Sequence, residues 1–495
     1  MPPREFLLPE LPAEEDLAAV PDGREVDETR VHVLHEHADG VEPFQRRHHL
    51  GLRALDLLSE GGGELPVRTV PVAGDRNRQL GEPRTCRKLV GARTDEPLRA
   101  CADLRQRRTG LLRREEAKGQ GHYDHRHVRG GQRTARPALE LFLWSRLVLW
   151  IIAAAAILLF DPWDERGPWD KPRLHDVGPA WLFDAWARWD SDWYLQIAQH
   201  GYVWPSSRPA FFPLYPLLIG PLGHAFGGHT IVAGVLVSLA ACAGAFVLLY
   251  RLGQLTLGED GARRAVLFLA VFPTTLFLGA VYSESLFLLL SLASFLAAER
   301  GRFAVAGLAG GLAALTRPVG LALVPALALF AWRARDRPRA LAAVALVPAL
   351  FALCPLVLWL WLGHPLAFLG AQKGIWQRHV SAYGPAGGFV EAIRQDAVKD
   401  LLVALALVAL AVLAWRALGA PYGVYALTSL ALPLTWPSDT HALWSISRFG
   451  LVLFPIVLTL AKVTTIRWQA ALLTLGLAAF SIHAVVKWAL WYWVA

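Results

Sequence analysis

Long apolar runs recur along the chain from residue 139 onward, and they constrain the fold more than any other feature. A helix that crosses a lipid bilayer needs about 20 consecutive apolar residues. The candidate spans are 139–160, 229–250, 265–282, 285–298, 303–316, 318–332, 340–362, 400–415, 420–435, 448–462 and 468–493. Several of these runs are short, and the fifth and sixth could form one re-entrant pair. We therefore predict an all-α polytopic membrane protein with about 9–11 transmembrane helices.

The charged residues divide the chain into two parts. Residues 1–137 contain 24 Lys+Arg and 23 Asp+Glu but none of the 20 Trp, whereas residues 138–495 contain 25 Lys+Arg and 18 Asp+Glu. Only about an eighth of the second part is charged, against about a quarter in an ordinary soluble domain. This composition excludes a soluble single-domain enzyme. The basic residues form no continuous stripe, which excludes a nucleic-acid-binding protein, and the four Cys have no spacing typical of disulfides or zinc sites.

Residues 1–137 are rich in Arg, Gly and His, and their short apolar stretches sustain no regular period. Such a segment has too little apolar surface to offset the entropy of folding, so we predict a disordered cytoplasmic tail without a signal peptide. The HVLHEH run could bind a metal, but neither a thiol nor a second fixed ligand pair accompanies it, which argues against a site. Met1 is the only methionine. The segment could therefore also be a mis-called N-terminal extension, with Val128 a candidate start, and residues 138–495 form the membrane domain.

Basic residues mark every second connection between the candidate spans. They are Arg251, Arg263, Arg264, Arg300, Arg302, Arg333, Arg335, Arg337, Arg339, Arg416, Lys462 and Arg467. Short cytoplasmic loops carry an excess of Lys and Arg, so this side is predicted to be cytoplasmic. The connections predicted to lie outside are 161–228, 282–284, the region around Arg317, 363–399 and 436–447. The C-terminal WALWYWV is interpreted as an aromatic belt at the outer interface.

The long outer loop 161–228 contains the run AWLFDAWARWDSDWYLQIAQHGY. Drawn as one helix, this run places an apolar stripe on one face and three charged side chains on the opposite, wet face, which predicts a helix lying in the membrane interface. The stripe is Leu182, Trp186, Trp189, Trp193 and Ile197, and the wet face is Asp184, Arg188 and Asp192.

Asp190 falls at the edge of the apolar stripe, where a carboxylate is costly unless something pairs with it. One explanation is structural, namely that Asp190 bonds an Arg or caps a turn. The other is functional. In the same loop, the prolines Pro213 and Pro216 of FFPLYPLL predict a fixed turn in place of a continuous helix.

Other charged residues also face the predicted outer side. Glu284 of YSES lies between two spans, where an acid is a functional candidate by default. Four cationic residues, Arg317, Lys373, Arg378 and Arg448, lie outside against the positive-inside bias. Together they indicate an anionic ligand such as a phosphate. The alternative is that they pair with lipid headgroups.

Several motifs resemble a known family. RWDSDWYLQIAQHGY, followed by AFFPLYPLL, resembles the first-loop signature of the PIG-V-type mannosyltransferases, which belong to the GT-C superfamily of multi-span glycosyltransferases. YSESLF, TRPVG and SRFGLVLFPI resemble later segments of that family, and the likeness covers approximately residues 139–495. The resemblance implies a polyprenyl-phosphate sugar donor carrying mannose, transfer on the outer face, and an aspartate of the first outer loop as catalytic base. That aspartate corresponds to Asp190, with Glu284 the next candidate.

The expected chemistry needs a base for the acceptor hydroxyl and positive charge on the departing phosphate. Asp190 and Asp192 spell D-x-D, but on a helix they diverge by about 200° and should not share a cation. No cofactor is expected, and the need for a divalent metal is left open. The residues expected to bind substrate or donor phosphate are Arg188, Arg317, Arg378, Arg448, Lys373, His441, Tyr194 and Tyr215.

Two other functions are compatible with the sequence. A transporter or flippase for a lipid-linked saccharide would often show two similar halves, and we find no convincing internal repeat. A non-catalytic subunit of an envelope-glycan assembly would need no base at Asp190. The predicted partners are the lipid bilayer, the sugar donor and an acceptor that the sequence does not identify. The composition, rich in Ala, Leu, Arg and Gly, indicates a bacterial plasma membrane, with the active site on the extracytoplasmic face.

Overall fold

The computed structural model describes residues 134–161, 181–374 and 376–494. The predictions for residues 1–137 fall almost entirely outside this part. The described residues are α-helical, and their only extended pairing is an isolated bridge between Arg378 and Ser438.

The α-helices, numbered in chain order, are α1 Arg136–Leu159, α2 Ser191–His200, α3 Leu214–Ala225, α4 Thr230–Ala270, α5 Glu284–Glu299, α6 Phe303–Thr316, α7 Leu323–Trp332, α8 Arg337–Val344, α9 Leu346–Phe351, α10 Leu353–Leu362, α11 Ala367–Gly374, α12 Gly387–Arg394, α13 Val398–Leu418, α14 Ala420–Thr435, α15 Ile446–Val452, α16 Phe454–Val463 and α17 Arg467–Ala489. Short 3-10 helices occupy Asp184–Trp186, Arg208–Ala210, Thr275–Leu278, Pro318–Ala322 and Gly384–Ala386.

Five helical segments are long and apolar enough to cross a membrane. They are α1, α4, the run α8 to α10, α13 and α17. A sixth span would be the pair α15 and α16, which is bent by 75° at Leu453. The predicted class, an all-α polytopic membrane protein, is confirmed. The count of about 9–11 spans stays a prediction, because the other apolar helices have fewer than the roughly 20 residues of a full crossing.

The 41-residue helix α4 is two helices joined at Gly258, whose φ of 76° breaks the regular geometry. Its second part ends at Ala270 because Pro273 follows shortly after and cannot continue a helix. The predicted span 265–282 is therefore wrong. Residues 271–283 instead form turns and one 3-10 turn that lead into α5.

Helix α5 lies at the centre of the bundle and packs against α4 and α6. Twelve of its 16 residues are buried, including Glu284 at its first position. A helix that is apolar on all sides can be stable only inside a bundle or in lipid. The remaining long helices pack around this centre, with α1 and α16 against α4 and with α13 against α14 and α16.

The predicted interfacial helix of the outer loop is shorter than expected. A 3-10 turn covers Asp184–Trp186, the backbone then breaks, and α2 begins only at Ser191. The predicted stripe therefore does not lie on one helix. Asp184 and Arg188, predicted to be wet, are 0% and 2% exposed. Four non-helical residues separate the two elements, so the side chains before the break point in other directions than they would on one continuous helix. A prediction that draws the whole run as a single helix therefore places them on the wrong face.

Two further local predictions are corrected. Pro213 and Pro216 begin a helix, α3, because Pro213 is its N-cap and Pro216 lies in its first turn, where the missing N–H has no partner in any case. The C-terminal tryptophans Trp488 and Trp491 are 1% and 6% exposed, so they pack inside the protein and not as a belt in the bilayer interface.

Candidate active site

One cavity of about 330 Å³ collects segments from several predicted outer connections. Its polar lining includes Asp190, Tyr194, Arg317, Gln372, Lys373, Arg378, Ser445 and Arg448, and its aromatic lining includes Phe211, Phe212, Phe368, Trp376, Trp436, Trp444, Phe449 and Trp493. Most of these residues lie where a helix starts, stops or is interrupted. Irregular backbone at membrane depth is tolerated only where it is buried in protein or lines a cavity.

Asp190 immediately precedes α2, but its side chain does not cap that helix. Its Oδ2 accepts a hydrogen bond of 2.8 Å from Nη1 of Arg448, a residue 258 positions away in sequence. The side chains of this pair are 12% and 11% exposed. The structural explanation for a buried Asp190 is therefore met in part, since an arginine pairs with it. The described residues donate a hydrogen bond to Oδ2 and none to Oδ1, and Asp190 is part of the cavity lining.

Glu284 lies behind the cavity wall and is fully buried. It forms ion pairs with Arg317 and, at 3.2 Å from its Oε1 to Nε, with Arg448. The four side chains Asp190, Arg448, Glu284 and Arg317 thus form one network with no net formal charge. Since Arg317 and Arg448 line the cavity and Glu284 does not, the two guanidiniums stand between Glu284 and any ligand.

Arg378 and Lys373 are the two cavity cations that have no ion-pair partner among the described residues. Arg378 donates hydrogen bonds to the backbone carbonyls of Trp436 at 3.0 Å and Trp444 at 3.2 Å. Burial, and next the nearby charge of Arg448, lower the pKa of Arg378 to about 10, which leaves it charged at neutral pH. Lys373 is exposed in the last turn of α11. These two charges remain available to an anion.

Tyr194 also lines the cavity, and its hydroxyl makes a 2.8 Å hydrogen bond with Oγ of Ser283. Burial, followed by the negative charge of Glu284, raises its pKa to about 12. The hydroxyl therefore keeps its proton at neutral pH and can act as a donor.

Left-handed backbone is concentrated around the cavity. Trp189, Gln377 and Ser445 have φ values of 54°, 45° and 67°. Trp189 directly precedes Asp190, Gln377 directly precedes Arg378, and Ser445 lies three residues before Arg448. Side-chain-bearing residues adopt this conformation rarely and at a cost in free energy, and such strain is often found at active sites.

Four predicted site residues do not line the cavity. Glu284 lies behind it, as described above. Tyr215 is fully buried and donates to the carbonyl of Gly234 at 2.9 Å. The guanidinium of Arg188 lies 4.1 Å from the Trp491 ring centroid, and His441 packs against Trp444 at 4.5 Å. These four side chains lie outside the cavity lining, so the structure does not favour direct contact between them and a ligand.

Several cavity residues were missed at the sequence level. Trp436, Trp444 and Trp493 give the cavity much of its aromatic surface, and Trp493 packs on Trp189 with ring centroids 4.9 Å apart. Outside the cavity lining, Tyr282, whose hydroxyl accepts a hydrogen bond from the Asp190 N–H, was also missed. The available signal was the concentration of aromatic residues in the outer connections, but nothing in the sequence indicates that the C-terminus returns to the first loop.

The two aspartates of the D-x-D sequence have different hydrogen-bond partners. Asp190 is directed to Arg448, whereas Oδ2 of Asp192 accepts a 2.6 Å hydrogen bond from Nε2 of Gln196. Across the described residues, no group of three or more His, Cys, Asp or Glu is arranged to hold a metal ion. That these two aspartates do not share a cation stays a prediction.

Comparison with known proteins supports the predicted resemblance. The profile of the family described as "Mannosyltransferase (PIG-V)" matches residues 172–332. That segment contains Asp190, Glu284 and Arg317, whereas Lys373, Arg378 and Arg448 lie beyond it. No solved structure shows significant similarity to the chain.

Individual relatives match over a similar length. The chain is 33% identical over 189 residues to a "GPI alpha-1,6-mannosyltransferase 2" of Mus musculus, covering 35% of this chain and 38% of the relative. The Homo sapiens protein of the same name is 34% identical over 34% of this chain and 38% of its own length. A "GPI mannosyltransferase 2" of Chaetomium globosum is 30% identical over 35% and 42%. The matches span about two fifths of these relatives. Together with the family model, which covers residues 172–332, they confirm the resemblance to the PIG-V-type mannosyltransferases.

Proposed function

We propose that this multi-pass membrane protein is a glycosyltransferase that moves a sugar, mannose by the resemblance, from a polyprenyl-phosphate donor to an envelope glycolipid, glycan or protein. The observation that carries the proposal is the cavity that Asp190 lines together with Arg378 and Lys373. A carboxylate with one free oxygen and a separate pair of cations are the two elements that such a transfer requires.

In the proposed reaction, Oδ1 of Asp190 takes the proton from the acceptor hydroxyl while Arg448 holds Oδ2. The hydroxyl oxygen bonds to the anomeric carbon of the sugar as the bond from that carbon to the phosphate oxygen breaks. The leaving group is the polyprenyl phosphate, and its new negative charge is stabilised by Arg378 and Lys373. Direct displacement would invert the anomeric centre, as the superfamily resemblance implies.

This assignment gives the phosphate-binding role to other cations than the sequence led us to expect. Arg317 and Arg448 were expected to bind the phosphate, but both are paired with carboxylates. Using them for the donor would require breaking buried ion pairs. Arg378 donates only to backbone carbonyls, so a phosphate adds a charge partner without removing one.

Transfer of radiolabelled mannose from polyprenyl-phosphate mannose to a membrane extract tests the proposal. Asp190→Asn keeps the size of the side chain but removes the proton-accepting charge, and transfer should fall about 10²–10⁴-fold. Asp192→Asn, whose carboxylate bonds Gln196 outside the cavity lining, is the matched control and should change little. Near-normal transfer by Asp190→Asn would refute the assigned base.

The phosphate assignment has its own pair of variants. Arg378→Gln should raise the donor KM, because the cation that meets the phosphate is lost. Arg394→Gln removes a cation of an exposed pair with Glu391 that does not line the cavity, and it should leave the KM unchanged. An Arg378→Gln enzyme with an unaltered donor KM would show that the phosphate binds elsewhere. A protein that moves a lipid-linked saccharide across vesicle membranes but transfers no labelled sugar would instead support the transporter hypothesis.

The proposed location is a plasma membrane with the cavity open to the outer face. A single Cys at Ser206, in the first predicted outer loop, should react with an impermeant thiol reagent in intact cells, and one at Ala334 should not. Cys242 and Cys354 are buried and should contribute little background, while Cys86 and Cys101 are first replaced by Ser. Equal labelling at both positions would contradict the proposed sidedness.

A further inference from the structure

We propose that Tyr282 is a positioning residue whose hydroxyl clamps the backbone around Trp189 and thereby holds the Asp190 carboxylate in place. The inference rests on the proposed function, in which Asp190 is the base. Tyr282 is fully enclosed, at 1% exposure, and does not line the cavity. It can influence the reaction only through residues that it holds.

The hydroxyl of Tyr282 makes two hydrogen bonds to the main chain of the first loop. It accepts one from the Asp190 N–H at 3.1 Å and donates one to the Arg188 carbonyl at 3.2 Å. These two groups lie on either side of Trp189, whose φ is 54°. A tryptophan keeps a left-handed backbone only when its surroundings impose it. One hydroxyl that bridges both flanking residues is a direct means of imposing it.

Tyr282 is itself held rigidly. Its ring packs against the rings of Phe277 at 5.0 Å and Trp488 at 5.7 Å between centroids. In the residue before it, the Val281 N–H donates a 2.9 Å hydrogen bond to the carbonyl of Trp186. The clamp is therefore built on a fixed support, which is what precise placement of a catalytic group needs.

The ring of Tyr282 also contacts the partner of Asp190. The guanidinium carbon of Arg448 lies 5.4 Å from the ring centroids of both Tyr282 and Phe277, within the range of cation–π attraction. Tyr282 thus touches both members of the Asp190–Arg448 pair, the aspartate through its hydroxyl and the arginine through its ring. Tyr282→Phe removes the first contact and retains the second, so it isolates the clamp.

Loss of the clamp should affect the rate of transfer and not donor binding. A displacement of about 1 Å at a reacting group can lower a rate on the order of 10²-fold, so Tyr282→Phe should lower kcat by up to about that factor. The donor KM should stay unchanged, because Arg378 and Lys373 do not contact Tyr282 in the structure.

The test compares Tyr282→Phe, Asp190→Asn and the double variant in the radiolabel transfer assay, with purified full-length protein. Tyr425→Phe is the matched control, since Tyr425 is a fully buried tyrosine that packs on Phe454 away from the cavity. If Tyr282 acts through Asp190, the double variant should be no slower than Asp190→Asn alone. Independent effects would multiply instead.

The outcomes separate this inference from the proposed function. Normal transfer by Asp190→Asn would overturn the proposed function and this inference with it. A severe loss in Asp190→Asn beside normal kcat in Tyr282→Phe would overturn the inference alone. So would a double variant with multiplied losses, a raised donor KM, or a Tyr282→Phe protein that fails to accumulate while Tyr425→Phe accumulates normally. The last result would mean that the hydroxyl serves the fold and not the placement of Asp190.

Discussion

The ion-pair network behind the cavity leads to a quantitative prediction about stability. Its two carboxylates, Asp190 and Glu284, are balanced by Arg317 and Arg448, so the four formal charges cancel. Glu284 is fully buried, and the two arginine side chains are 13% and 11% exposed, so solvent screens these pairs only slightly. At the 3.2 Å between Nε of Arg448 and Oε1 of Glu284, an effective dielectric constant of about 20 gives an attraction of about 5 kcal/mol.

Replacing one member should therefore be costly. Glu284→Gln leaves two buried guanidiniums facing one carboxylate, and Arg317→Gln leaves two carboxylates facing one guanidinium. Each single variant should lower the free energy of unfolding by about 3–5 kcal/mol, the usual cost of an uncompensated buried charge. The double variant Glu284→Gln/Arg317→Gln restores charge balance, because the Asp190–Arg448 pair remains. Its cost should be smaller than the sum of the two singles by about 0.5–3 kcal/mol.

Chemical denaturation in detergent micelles, followed by tryptophan fluorescence, would measure these differences. The exposed pair Arg394–Glu391 is the matched control, because its arginine side chain is 63% exposed and such pairs contribute about 0–1 kcal/mol. Strictly additive losses in the double variant would refute the network, and so would a Glu284→Gln variant that is no less stable than Glu391→Gln.

Two further predictions concern the fold, and both are measured by the same denaturation assay. Trp488→Ala should destabilise the protein by about 3–5 kcal/mol, because it removes a buried ring and the 2.7 Å hydrogen bond from its Nε1 to the Ala185 carbonyl. Trp468→Ala on the same helix, where the side chain is 61% exposed, is the control and should cost far less. Equal losses in the two variants would contradict the packing of Trp488 inside the protein. Gly258→Ala should lower the free energy of unfolding by about 1–2 kcal/mol, since φ at this position is 76°. Gly476→Ala, in a helix with open space around the residue, is the control and should be neutral or stabilising by up to about 1 kcal/mol. A stabilised Gly258→Ala protein would show that the break in α4 does not need a glycine.

The sequence predicted the helical class well because the signal is local. Each apolar run found at the sequence level contains at least part of a helix, and the stops follow ordinary chemistry. Arg317 adopts an extended conformation just before Pro318, as a residue preceding proline tends to do. The failures came from projecting one helix across a break. Nothing local marks the change of direction between Trp186 and Ser191, because it is imposed by packing against Val281 and Tyr282.

The site was predicted less completely, and for an identifiable reason. Asp190 could be singled out because a carboxylate at the edge of an apolar stripe is costly. Its partner could not be identified, since Arg448 lies 258 residues away and several other cations had similar surroundings in the sequence. The same limit hid Tyr282 and Trp493, whose importance depends on contacts across the whole chain. Sequence reasoning identified the charged groups, but only the packing shows which of them neutralise one another.

The positions of these charged groups follow from the interrupted helices themselves. A break leaves backbone N–H and C=O groups that lipid cannot satisfy, so the breaks must lie together inside the protein with polar partners. Arg378 bonds two such carbonyls, and Tyr282 bonds the backbone on both sides of Trp189. Charges buried beside such breaks can be balanced by counter-charges, as Asp190 and Glu284 balance Arg317 and Arg448. A cavity lined by one carboxylate and several cations is thus what gathering helix breaks in a membrane bundle would produce, and the cations without an ion pair among the described residues, Arg378 and Lys373, are the charges available to an anion.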